Sequence, residues 1–147
     1  MKQKTVREIV DYVVSYYATH PRAIVNGTCA YLIEGRRCAH SICIRDSKLK
    51  AVAERHNTNG ASTLIIAFGD AVHKEEFRGH SPRFWNMLQS FHDTNYNWEE
   101  TGEGNALTGA GEIFRGNIIR EFGEPEERYE ALPSHDLSPF PEAVISN

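Results

Sequence analysis

Cysteine is scarce and odd in number, three in 147 residues, which excludes a framework of paired disulfides and fits a reducing, cytoplasmic setting. No apolar run approaches the roughly 18 residues that a membrane helix needs. The amphipathic start carries Glu8 and Asp11 where a secretory signal requires an apolar core. Neither a membrane partner nor export is expected. An excess of positive charge is missing too: of 20 acids and 16 bases, six acids and one base fall in residues 124–147, leaving 14 acids against 15 bases elsewhere. A nearly neutral body lacks the field of a protein that grips long DNA or RNA. Also absent are Gly-x-Ser-x-Gly, a Gly-Lys-Ser/Thr phosphate loop, a Rossmann glycine fingerprint and His-Glu-x-x-His. These absences lean toward a binding protein rather than an enzyme, with no cofactor expected.

The chain does have the composition of an ordinary globular protein, 40% hydrophobic and 24% charged, and at this length about 70% of the unfolded surface can be buried. One domain over residues 1–123 and an acidic tail over 124–147, with Pro125, Pro133, Pro139 and Pro141, account for it. Thr5 with Glu8 reads as a capping box before Val6, Ile9, Val10, Val13 and Tyr17 at helical spacing. Two strands joined at Glu34-Gly35 span residues 27–45, their register left open between a two- and a three-residue turn. Asp46 or Ser47 caps a short helix with Leu49, Val52 and Ala53 inward. Residues 63–68, Thr-Leu-Ile-Ile-Ala-Phe, read as a strand buried on both faces, and residues 71–80 are ambiguous. Ser81-Pro82 starts a helix, residues 94–107 read as a long loop, and Thr108 caps a last helix that stops at Gly123. The tail is expected to run extended, with Phe140, Val144 and Ile145 as anchors. The expected class is α+β, a small antiparallel sheet (the hairpin plus one or two further strands) against three main helices.

Chemistry concentrates in residues 83–98, which hold both tryptophans and five of the fifteen Phe, Tyr and Trp residues. Rings interleaved with Arg83, Asn86, Gln89, His92, Asp93, Asn95 and Asn97 offer stacking faces and hydrogen-bonding edges to a planar polar ligand such as a nucleobase. The alternative is a core helix running into a polar loop. Cys29, Cys38, His40 and Cys43 fall within fifteen residues, but their spacing is not that of a zinc knuckle, and ordinary core thiols are the preferred account. His56-Asn-Thr58 and His92-Asp-Thr94 match the short motif of two-histidine phosphoesterases, in which one histidine is base and the other acid. That makes a cyclic nucleotide phosphodiesterase the enzymatic alternative. Arg115 and Arg120 supply guanidiniums able to fork onto phosphate; they lie about 140° apart around a helix, so one can face a pocket without the other.

Two blocks of residues carry a resemblance. The first runs from Tyr16-Tyr17 through His20-Pro21-Arg22 to Gly27-x-Cys29-x-Tyr31-Leu32, Gly35 and Cys38-Ala39; the second holds Phe84-Trp85, Leu88-Gln89, His92-Asp93, Asn97-Trp98 and the glycines before the last helix. Together, over the chain up to residue 123, they resemble the first type of Thoeris anti-defence protein, a family of phage sponges that bind the cyclic ADP-ribose isomer made as an immune signal. The resemblance implies a phage-encoded homo-oligomer in the host cytoplasm that sequesters an intact cyclic nucleotide near subunit contacts. It further implies an aromatic at Phe84 or Trp85 for adenine stacking, Asn95 for a polar contact, and Arg115 or Arg120 for phosphate. A plain protein-protein inhibitor of a host enzyme is the third expectation.

Overall fold

The computed structural model of the chain describes residues 2–130 and is α+β, with helices dominating and three separate antiparallel pairs of short strands. Helix α1, Val6–Tyr17, starts at the capping box: Thr5 Oγ1 accepts from the Glu8 N–H at 3.2 Å and Glu8 Oε1 accepts from the Thr5 N–H at 2.8 Å. Its apolar face, Val6, Ile9, Val10, Val13 and Tyr17, is buried. The Tyr17 hydroxyl then donates to the Arg37 carbonyl at 2.5 Å, tying the helix to the hairpin region.

Two tight hairpins follow. Strands β1 (Ile24–Val25) and β2 (Thr28–Cys29) turn at Asn26-Gly27, and β3 (Leu32–Ile33) and β4 (Arg36–Arg37) at Glu34-Gly35. The second pairing, Leu32 with Arg37 and Ile33 with Arg36, settles the register as a two-residue turn. Both turn residues have positive φ, Glu34 at 51° and Gly35 at 76°, which a type I′ turn requires and glycine supplies without strain. The expected long strand does not continue to residue 45. Ser41 bonds back to Cys38 through its Oγ, at 3.0 Å to the carbonyl, and its N–H, at 3.4 Å to the thiol, winding Ser41–Cys43 into a 3-10 turn. Such local bonds compete with a ladder. A single bridge from Ile44 to His73 is what remains of sheet pairing there.

Helix α2, Asp46–His56, buries Leu49 and Val52 and half-buries Ala53; neither Asp46 nor Ser47 caps it, the flanking position being Arg45 with no side-chain bond. The expected strand at 63–68 is instead helix α3, Ala61–Phe68. Ala61 and Leu64 turn into the core, Ile65 packs against its edge, and Ile66 is 85% exposed. A distant residue bonds to its start: Asn86 Oδ1 accepts the Ser62 N–H at 3.2 Å and its amide donates to Ser62 Oγ at 2.6 Å, satisfying a first-turn donor. A short apolar run does not by itself separate buried strand from helix.

Helix α4, Pro82–Asp93, is capped by Ser81 with Pro82 in its first turn. The expected loop at 94–107 holds a hairpin, β5 (Trp98–Glu100) on β6 (Asn105–Leu107), entered through a 3-10 turn at Asn95–Asn97. Thr108 caps helix α5, Gly109–Phe122. Its Gly111 lies so close to the Asn97 carbonyl that a Cβ would sit 2.2 Å away. The short α6, Pro125–Glu130, follows, and Glu127 docks it by accepting the Arg7 N–H at 2.9 Å. Phe140, Val144, Ile145 and the other tail prolines lie outside the described residues. One core cluster joins α1, α4 and α5; a second, with Ala23, Tyr31, Cys38, Ile44, Val52, Leu64 and Val72, lies under the hairpins.

Candidate functional site

Helix α4 sorts its side chains by face. Phe84, Trp85, Leu88, Phe91 and His92 are buried, while Asn86, Gln89, Ser90 and Asp93 recur at i, i+3, i+4 and i+7 on the other side. That polar stripe lines a cleft of about 290 Å³, closed opposite by Cys29, Ala30 and Tyr31 and by the α2–α3 turn. Its amides are fixed by bonds made elsewhere: Gln89 Oε1 accepts the His40 N–H at 2.8 Å, and Asn57 takes both the N–H and the carbonyl of Leu32 at 2.9 Å.

At the end of α4 the chain builds a second wall. The Arg22 guanidinium donates from Nε at 3.0 Å and Nη2 at 2.6 Å to the His92 carbonyl, and from Nη2 to Asn95 Oδ1 at 3.1 Å. It lies 5.9 Å from the Trp98 ring centroid. A carbonyl near a helix C-terminus is a favoured place for a cation. Arg22, Arg36, Asn95 and Trp98 border a groove of about 580 Å³, with Glu100 and Glu103 on its rim. Among the described residues neither Arg22 nor Arg36 has a carboxylate partner, whereas Arg37 pairs with Asp46, Arg83 with Glu121 and Arg115 with Asp11.

The histidines are committed. His92, fully buried, donates from Nδ1 to Asp93 at 2.6 Å, and its Nε2 accepts the Ala23 N–H at 3.1 Å. Burial lowers its pKa against the opposing pull of Asp93. His56 packs its ring on Phe68 and bonds Asn59 rather than His92, while Asn57, Thr58 and Asp93 of the two His-x-Thr segments line one cleft. A third constellation has no counterpart in the sequence reading. Tyr31 bonds His40 Nδ1 at 3.2 Å, His40 Nε2 meets His73 Nε2 at 2.7 Å, and His73 Nδ1 meets Asp70 at 2.8 Å. With the carboxylate accepting from His73 Nδ1–H, His73 Nε2 accepts from His40, and His40 Nδ1 accepts from the tyrosine. Every bond then points from Tyr31 toward Asp70. Burial holds His40 well below the ordinary value and lowers His73 as well.

Trp85 stacks on both of these imidazoles, 4.8 Å from His40 and 4.4 Å from His73 between ring centroids. Its indole is 0% exposed and Phe84 is 1% exposed. Neither expected stacking ring has a face for an adenine while the core stays closed, because packing against α1, α5 and the histidines has already used them. Arg115 is held by Asp11 at 2.5 Å, and Arg120 bonds Asn117 beside Met87 and Phe114. Only Asn95 of the five expected residues reaches the arginine groove. No protein-family model, curated protein or solved structure matches the chain. The chemistry of the site therefore rests on its geometry.

The cysteines are dispersed. Cys38 is pushed up to about 11 and Cys43 well above its ordinary value by burial, while Cys29 is raised by desolvation and then by Asp93. Raised thiols are poor nucleophiles. Among the described residues no three His, Cys, Asp or Glu side chains converge as metal ligands, and no helix is long and apolar enough to cross a membrane. Arg22 and Arg36 escaped the sequence reading because which guanidiniums form ion pairs is decided by contacts distant in the chain. Arg22 did stand in the quoted His20-Pro21-Arg22 block.

Proposed function

We propose that this protein binds a small phosphate-bearing nucleotide in the arginine groove and holds it intact, the sequestering role that its resemblance to the Thoeris anti-defence sponges implies. The observation that supports it is the pair Arg22 and Arg36, without carboxylate partners among the described residues, bordering a groove that also offers Asn95 and the Trp98 wall. The His92 carbonyl and the Asn95 amide orient Arg22, and the carboxylates of Asp93 and Glu100 act on its charge only from beyond ion-pair distance, leaving a guanidinium that an anion can approach. The phosphate role passes in this account from Arg115 and Arg120 to Arg22 and Arg36.

Holding rather than converting is favoured by the neighbours: both His92 nitrogens are engaged and the Cys29 thiol is raised. Magnitudes point to assembly. Two charge-assisted bonds at about 1.5–3 kcal/mol each total about 3–6 kcal/mol, short of micromolar affinity, near −8 kcal/mol. Nanomolar capture of a signal needs a further wall, and a second copy of the chain would close the open side of the groove.

The test is to incubate the protein with cyclic ADP-ribose isomers and cyclic oligonucleotides, denature it by heat, and identify the released species by mass spectrometry. Recovery of unaltered ligand is expected. A changed mass would mean phosphodiesterase chemistry, and no depletion from solution would leave inhibition of a host protein.

A further inference from the structure

The amide cleft has a chemistry of its own, distinct from the arginine groove. Gln89 and Asp93 stand one turn apart on α4, where side chains at i and i+4 are neighbours. Because Gln89 Oε1 is occupied by the His40 N–H, its amide is fixed in one orientation. The Nε2 group has no partner among the described residues, and Gln89 lines the cleft. Its two N–H donors are therefore available there. Asp93 gives Oδ1 to His92 and lies against the Cys29 thiol, but a carboxylate has about four acceptor positions, and Asp93 also lines the cleft with a side chain 32% exposed. One end thus donates and the next turn accepts, in a space of about 290 Å³, at the small end for a ligand pocket.

We propose that this cleft is a base site for a heterocycle of guanine type, its carbonyl oxygen facing Gln89 and its adjacent ring N–H and amino group facing Asp93. Adenine presents the reverse order, an amino group beside a bare ring nitrogen. Turned over in its plane it can put that nitrogen at Gln89 and its amino group at Asp93, but it then gives the carboxylate one donor where guanine gives two. Hypoxanthine keeps the carbonyl and the ring N–H but lacks the amino group. The site shares only its ligand class with the arginine groove, since a nucleoside carries no phosphate.

Titration calorimetry of the full chain with guanosine, inosine and adenosine tests this. Guanosine, with one more charge-assisted bond to Asp93, should bind at least about tenfold more tightly than adenosine or inosine. Asp93→Asn should remove the advantage of guanosine over adenosine. Because Asp93 also orients His92, a second variant keeps the test independent of folding: Ser90→Tyr, at an exposed position on the polar stripe, should fill the cleft and abolish guanosine binding. No binding of guanosine at millimolar concentration, equal binding of the three nucleosides, or unchanged guanosine binding in Ser90→Tyr would each overturn the assignment. Failure of the arginine groove reads differently: guanosine still binds, but cyclic ADP-ribose isomers do not.

Discussion

The two faces of α4 carry different kinds of groups, rings on one and amides with a carboxylate on the other. On the buried face, Trp85 stacks against His40 and His73, with an indole N–H that has no hydrogen-bond partner among the described residues. On the open face, amides and a carboxylate that could have solvated freely are fixed by bonds to Ser62, His40 and His92 and still border a cleft. Large rings contribute most where they are removed from water, so the fold takes them. In the proposed reading, recognition falls to small polar groups whose orientation is fixed from behind.

The sharpest way to break that contrast is Trp85→Ala. Removing a fully buried indole should cost about 3–5 kcal/mol, measured by denaturant unfolding; a loss under about 1 kcal/mol would mean that the ring is not core. Acid is the next lever. His40, His73 and His92 all have lowered values in the folded protein. The unfolded chain therefore binds more protons below the ordinary value of 6.5. Stability should be complete above that pH and fall as pH drops through the folded values, with a slope of up to about 1.4 kcal/mol per unit for each histidine. A denaturant midpoint that stays flat from neutral pH down to the carboxylate range would contradict it. Arg22→Ala should cost about 1–2 kcal/mol by releasing the His92 carbonyl, with a parallel loss of anion binding. Ser90→Ala, on the open face, should change stability by less than about 0.5 kcal/mol.

Local signals were legible and long-range ones were not. The Thr5 capping box, the Ser81-Pro82 start and the Thr108 cap each sit within four residues of what they control, and all three helices begin as their sequences indicate. Helix α3 carries a short apolar run that reads equally as strand or helix, and the Asn86 bonds to its first turn come from 24 residues away. The β5–β6 hairpin hides behind Glu99, Glu100 and two glycines, which carry no alternating apolar pattern. In the site, Asn95 came only through the family resemblance, and its bond to Arg22 spans 73 residues. The pairing of Arg115 with Asp11 spans 104 residues, and nothing in the local sequence marks which guanidiniums are neutralised. The His40–His73 pair was invisible for the same reason, since Ile44 brings the two segments together through one bridge.

The most direct test of nucleotide capture compares the natural chain with the Arg22→Ala/Arg36→Ala double variant in calorimetric titrations with cyclic ADP-ribose isomers at fixed salt. The account predicts binding that weakens by about 100-fold or more in the double variant, with Arg115→Ala nearly unaffected. Equal affinity in the natural chain and the double variant, or loss confined to Arg115→Ala, would contradict it.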